Sequence, residues 1–138
     1  MTKKVLFGIL LIAVVAAVVF LTFQGPGETM SLSESVRGWA LLLGYKGDLH
    51  QFRSEFHYVE YFAVGFAAAL FFKSMNWKKW TAGALGSIIG ILDETVKIFL
   101  PTREFDILDL LRDFVGVWMA VMVVWRIYSV IGKKKAQK

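Results

Sequence analysis

An apolar run near the start of the chain limits what the protein can fold into more than any other feature. Residues 5–23 carry no charged side chain, and roughly 20 apolar residues suffice for a helix to cross the hydrocarbon core of a bilayer. A signal-peptide core usually spans only about 7–15 residues before a small-x-small cleavage site, and no convincing site of that kind follows. We therefore expect a retained membrane-crossing helix that ends at the turn formed by Gly25, Pro26 and Gly27.

The rest of the chain is also too apolar for a water-soluble domain, with 57% hydrophobic and 15% aromatic residues among 138. The formal net charge is +5, but the basic residues flank apolar runs, where they can anchor to anionic lipid headgroups. No nucleic-acid recognition motif is present, so we expect no nucleic-acid partner. The absence of cysteine excludes disulfides, thiolate zinc sites and cysteine nucleophiles.

Helical spacing and apolar runs predict an all-α membrane protein that forms one domain over residues 1–138. Four transmembrane helices are expected at about residues 5–23, 55–73, 80–100 and 107–130, with a short outer amphipathic helix at about 31–44. Ser31 and Glu34 have the spacing of a capping box at the start of that outer helix. The purely apolar part of the second crossing covers only residues 61–72, so the polar stretch 53–60 must form its outer end.

The distribution of charge predicts the orientation of these helices. When the N-terminus is placed inside, most of the 16 basic residues fall on the cytoplasmic side and all 11 acidic residues fall in the outer half. Short cytoplasmic loops favour Lys and Arg. We therefore expect both termini in the cytoplasm and a group of charged residues at the outer face.

Three helices are expected to contribute to that outer group, because charges in membrane helices usually face the bundle interior. Arg53, His57 and Glu60 share one face of the second helix. The third carries a stripe of three glycines below Glu94 and Lys97, and the fourth carries acidic residues above small ones. We expect these two stripes to face each other, since glycines on one of them permit close helix contact; their members are Gly83, Gly86, Gly90, Glu94 and Lys97, and Asp106, Asp109, Asp113, Gly116 and Ala120.

Several interpretations of this group remain open. A salt-bridge network could fix only helix register, and His57 could be a hydrogen-bonded structural residue or a proton carrier. Carboxylates at this density could hold a divalent cation, but Lys97 and Arg103 would oppose it, so we expect no cofactor and no metal. Mixed charge could instead bind a zwitterionic or phosphate-bearing headgroup, with Arg103 as the bidentate anion ligand.

The order of these polar residues resembles the VanZ-like family of small bacterial membrane proteins. The resemblance covers about residues 53–120 and rests on Arg53, His57, Glu60, Tyr61, Phe62 and Gly65, then on Gly90, Asp93, Glu94, Lys97, Phe99, Pro101, Arg103, Asp106, Asp109, Asp113 and Gly116. It implies a multi-pass protein of the bacterial cytoplasmic membrane and cell envelope, in a family associated with teicoplanin resistance. The family histidine and tyrosine fall on His57 and Tyr61, and its glutamate, loop arginine and first helix-four aspartate fall on Glu94, Arg103 and Asp109.

Two positions depart from the family pattern. Lys97 stands where the family often has Gln, and Asp113 where it often has Asn. Together they resemble a compensating charge pair, so we expect these two side chains to touch. A reaction that needs neutral amides at these positions is placed in doubt.

Three functions compete on this basis. The favoured one is a non-enzymatic envelope factor that binds a membrane lipid, a lipid-linked wall precursor or a lipoglycopeptide through Arg53, Glu60, Tyr61, Lys97, Arg103, Asp106 and Asp113. The second is an intramembrane enzyme acting on a lipid-linked substrate, with His57, Glu94 and Asp109 as the acid-base residues. A transporter or channel subunit ranks last, because no charge reaches the inner half of any expected span. The oligomeric state cannot be read from the sequence.

Overall fold

The computed structural model describes residues 2–24, 26–101 and 104–136. Five helices make up this part of the chain, and no strand occurs in it, which confirms the predicted all-helical class. The helices are α1 Lys3–Phe23, α2 Pro26–Leu42, α3 Leu49–Ser74, α4 Lys79–Lys97 and α5 Ile107–Ala136.

The central pair of the bundle is α3 and α5, which contact each other more extensively than any other two helices. α1 packs against α3, and α4 packs against both α3 and α5, whereas α2 touches α3 only lightly. The buried core is built mainly from small and β-branched side chains, which allow the helices to approach closely. Its members are Val18, Tyr61, Val64, Ala68, Ala69, Ala82, Val117, Val121 and Val124.

Two glycines explain how closely α3 and α5 approach. A Cβ atom at Gly65 of α3 would lie 2.5 Å from the carbonyl oxygen of Val117, and one at Gly116 of α5 would lie 2.6 Å from the carbonyl oxygen of Tyr58. Each glycine therefore meets the backbone of the opposite helix. No side chain larger than hydrogen fits at either position without moving a helix.

The glycine stripe of α4 faces α5, as the sequence predicts, but it does not meet a matching stripe of small residues. Gly86 packs against the side chain of Val117, and Gly90 lies beside Asp113 and Tyr61. Gly116 faces α3 instead of α4. The two predicted stripes therefore meet at Gly90 and Asp113, whereas Gly116 is used for the backbone contact with α3.

The helix boundaries differ from the predicted ones mainly around the outer segment. α2 begins at Pro26, since proline is well tolerated in a first helical turn, so Ser31 lies inside the helix and is not its cap. The helix is followed by Gly44, whose φ of 94° suits the left-handed position after a helix end. α3 begins at Leu49, six residues before the predicted start, because the Asp48 side chain accepts the backbone N–H of Gln51.

Two helices in the described part of the chain are long and apolar enough to cross a membrane, namely α1 and the Ile107–Gly132 portion of α5. α3 and α4 are long enough, but the charged residues at their ends make them too polar to qualify as membrane-crossing helices by composition. The crossings by α3 and α4, and the orientation of the termini, therefore stay predictions. Most of the side chains of α1 are exposed in the isolated chain.

Candidate functional site

A pocket of about 530 Å³ lies at the end of the bundle where α1 and α4 finish and α3 and α5 begin. We call it the charged pocket. Apolar side chains from α1, α2 and α3 line it together with charged side chains from α3, α4, the α4–α5 loop and α5. Those that carry the argument are Leu32, Val36, Arg53, His57, Glu60, Asp93, Lys97, Asp106 and Asp109.

The three polar residues that the sequence places on one face of α3 all line the charged pocket. Arg53, His57 and Glu60 are each partly buried. Neither Arg53 nor Glu60 has a hydrogen bond or ion pair to another residue in the described ranges. Within that part of the chain, these two opposite charges are available to a ligand.

His57 lies between two aspartates of α5. Its Nδ1 is 2.9 Å from Oδ1 of the fully buried Asp113, and its Nε2 is 3.4 Å from Oδ2 of Asp109. Asp109 also accepts a hydrogen bond from Arg112, one turn further along α5. When Nδ1 donates its proton to Asp113, the lone pair of Nε2 faces Asp109 and the pocket.

The end of α4 is held by a second ionic network. Lys97 donates to Glu94 and lies 3.6 Å from Asp93, so its ammonium is shared by two carboxylates of its own helix. The second oxygen of Glu94 accepts the backbone N–H of Asp106 at 3.2 Å. Glu94 is completely buried, and it links the end of α4 to the segment that starts α5.

Asp106 has a local structural role in addition to its place in the pocket wall. Its Oδ1 accepts the backbone N–H of Leu108 at 2.8 Å, the geometry of a side chain that caps a helix N-terminus. This bond and the bond to Glu94 position the first turn of α5. Asp109, which follows in that turn, is thereby directed toward His57.

The expected ion pair between Lys97 and Asp113 does not form among the described residues. Asp113 is paired with His57 instead, and Lys97 is paired with Glu94 and Asp93. The three- and four-residue spacings within α4 bring both of these carboxylates next to the lysine. The prediction of a direct contact is therefore wrong.

Tyr61 lies below the pocket in the core and not in its wall. Its ring is completely buried and is stacked over that of His57, with centroids 6.4 Å apart. Oδ2 of Asp113 is buried without a hydrogen-bond partner in the described structure. Such oxygens are rare in folded proteins and point to a bound water, ion or ligand group.

Two contributors to this region are absent from the sequence-based site. Thr22 of α1 is buried and donates its hydroxyl to Asp93, so α1 is attached directly to the ionic network of α4. Asp93 was identifiable from its position four residues before Lys97, but nothing in the sequence distinguishes Thr22. Arg103, the predicted anion ligand, lies outside the described residues.

The arrangement can support two kinds of chemistry. The charged pocket can bind a group that carries both signs of charge, and His57 can transfer a proton. Among the described residues, His57, Glu94 and Asp113 could hold a metal ion, since their ligand atoms lie within 4.8 Å of one another.

Comparison with known proteins gives a family but no close relative. The model of the VanZ/LLP1 family matches residues 7–129, which include most of α1 and most of α5. No curated protein and no solved structure matches the chain. The family match and the two apolar helices together support a membrane protein. The chain belongs to the VanZ/LLP1 family.

Proposed function

We propose that the protein is a multi-pass protein of the bacterial cytoplasmic membrane whose charged pocket binds the polar head of a membrane lipid or lipid-linked wall precursor. Through this binding it contributes to resistance against glycopeptide and lipoglycopeptide antibiotics such as teicoplanin. Family membership supports the class of protein. The resemblance to VanZ-like proteins supports the link to resistance.

The observation that carries the binding proposal is the pair of uncommitted charges in the pocket. Arg53 and Glu60 lie seven residues apart on one face of α3. Arginine matches the geometry of a phosphate through two parallel N–H bonds, and a carboxylate matches an ammonium group. A headgroup that carries both a phosphate and an amine therefore complements this face of the pocket.

The apolar side of the pocket supports a ligand with a lipid tail. Leu32 and Val36 of α2 line the pocket, whereas Trp39, Leu42 and Leu43 further along are 72%, 79% and 90% exposed. Exposed apolar surface of this kind suits a helix in the membrane interface. We place α2 at the outer surface, with α1, α3, α4 and α5 crossing the bilayer and both termini in the cytoplasm.

Drug susceptibility tests this function when it is measured together with stability. Cells that express the wild type, Arg53→Ala or Glu55→Gln are compared for growth in teicoplanin. Glu55 bonds to Gln51 outside the pocket, so Glu55→Gln is the matched control. Because Arg53 has no partner in the described structure, its removal should leave the thermal midpoint nearly unchanged while it abolishes the protection.

The outcomes of that comparison are distinct. Loss of protection in Arg53→Ala with normal abundance and melting temperature supports a ligand site. Equal protection by all three proteins contradicts it, since the pocket charge would then have no part in resistance.

One observation favours a second function, an enzyme that acts on a lipid-linked envelope substrate. The contact between His57 and buried Asp113 holds the imidazole in place, while Nε2 faces the pocket near Asp109. A histidine oriented by a carboxylate is a common general base. Product masses from purified protein incubated with a lipid-linked wall precursor would test this, since an enzyme forms product with the wild type but not with His57→Gln.

A further inference from the structure

We propose that His57, Glu94 and Asp113 form a site for a divalent transition-metal ion beneath the charged pocket. One ligand atom from each residue lies within 4.8 Å of the other two. Atoms that share one such ion at roughly 2.0–2.2 Å lie at most about 4.4 Å apart. The observed spacing therefore needs only small side-chain rotations to close around an ion. The residues come from three different helices, α3, α4 and α5.

The unpartnered oxygen of Asp113 is an independent indication of a ligand. Asp113 is completely buried, and its Oδ2 has no hydrogen-bond partner in the described structure. This oxygen lies 3.6 Å from the Cβ position of Gly90, one turn before Glu94, so it faces α4. An unsatisfied buried acceptor destabilises the folded protein, and a cation beside Oδ2 removes that cost.

The balance of buried charge also favours a cation. Glu94 and Asp113 are fully buried, and the side chain of Asp93 is only 7% exposed. Among the described residues, Lys97 is the only lysine or arginine within ion-pair distance of any of these three carboxylates. Buried carboxylates are normally paired or coordinate a metal. Within the described part of the chain, a dication would neutralise the negative charge that Lys97 leaves unpaired.

The surroundings already have the arrangement that supports metal ligands. A metal-bound histidine usually donates its other ring N–H to a carboxylate, and Asp109 lies 3.4 Å from Nε2 of His57. Arg112 in turn holds Asp109. Binding would displace the proton between Nδ1 and Asp113 and leave Nδ1 as a ligand. Glu94 keeps its bond to Lys97, since each carboxylate oxygen has two lone pairs.

The donor set indicates the class of metal. Ca²⁺ and Mg²⁺ prefer sites made entirely of oxygen ligands, whereas imidazole nitrogen with carboxylates suits Zn²⁺ and Mn²⁺. The site therefore fits a borderline transition-metal dication and not an alkaline-earth ion.

Metal titration of the purified full-length protein in detergent tests this site. The protein is treated with a chelator, exchanged into metal-free buffer and titrated with Zn²⁺ and with Mn²⁺ by calorimetry. The variants are Asp113→Asn and Glu94→Gln, with Glu55→Gln as the control on α3. Thermal unfolding with and without the ion provides a second readout that does not depend on activity.

We expect one equivalent of one of these ions to bind the wild type and Glu55→Gln and to raise their melting temperatures. Asp113→Asn and Glu94→Gln should bind at least about tenfold more weakly. If either variant does not fold, the other and the stripped wild type still decide the question. Absence of stoichiometric binding by the wild type, or equal affinity in folded variants, overturns the site.

Discussion

The imidazole of His57 and the carboxylate of Asp113 join α3 to α5 at 2.9 Å, across 56 positions of the chain. Three residues after Asp113, Gly116 brings the α5 backbone against the carbonyl of Tyr58 on α3. The polar contact therefore stands above a close backbone contact between the same two helices. Close packing fixes the height of α5 on α3, and this height places Asp109 and Asp113 on either side of the ring.

Removal of the buried lysine should destabilise the protein strongly. In Lys97→Met, Glu94 and Asp93 lose their shared ammonium, and loss of one partner of a buried ion pair costs about 3–5 kcal/mol. The double variant Glu94→Gln with Lys97→Met removes one of the two stranded charges and should recover part of the loss. The thermal midpoint in detergent measures both effects. Equal midpoints for Lys97→Met and the wild type would show that the network contributes little to folding.

Alanine at Gly116 should separate the central helix pair. Its Cβ would lie 2.6 Å from the Tyr58 carbonyl oxygen and 2.9 Å from the Phe62 nitrogen, and backbone atoms cannot rotate away. Overpacking of this kind costs about 1–3 kcal/mol. Gly132→Ala is the control on the same helix, because nothing lies within 4 Å of that position. Thermal unfolding should show a loss only for Gly116→Ala; unchanged stability there would contradict the close approach.

The proposed orientation can be tested by cysteine labelling, because the chain contains no cysteine. Lys46 lies between α2 and α3 and Lys78 lies immediately before α4, and both are exposed. With four crossings and both termini inside, a membrane-impermeant maleimide should label Lys46→Cys in intact cells. It should label Lys78→Cys only after permeabilisation. Labelling of both variants in intact cells would rule out a crossing by α3.

Much of the helical architecture could be predicted from the sequence, because apolar runs and helical spacing report which segments form helices. The outer segment was harder to delimit. The pair Ser31 and Glu34 looks like a start signal, but Pro26 starts the helix earlier and the Asp48 cap extends α3 backward. Local signals compete at such places, and the sequence alone does not rank them.

The sequence predicts many of the residues that form the candidate site, but not which of them contact each other. Six of the predicted residues line the charged pocket, since their helices and the α4–α5 loop bring them to the same end of the bundle; they are Arg53, His57, Glu60, Lys97, Asp106 and Asp109. Which carboxylate each cation contacts depends on the rotation and height of α4 and α5. These are set by Gly86, Gly90 and Gly116 through contacts that spacing does not reveal.

The most direct test of ligand binding in the charged pocket is native mass spectrometry of the protein released from its own membranes. Wild type, Arg53→Ala and Glu55→Gln are compared for a retained species with the mass of a phosphate-bearing lipid or lipid-linked precursor. We expect the wild type and Glu55→Gln to retain that species and Arg53→Ala to lose most of it. Equal retention by Arg53→Ala, or no retained species in the wild type, would contradict binding through the pocket.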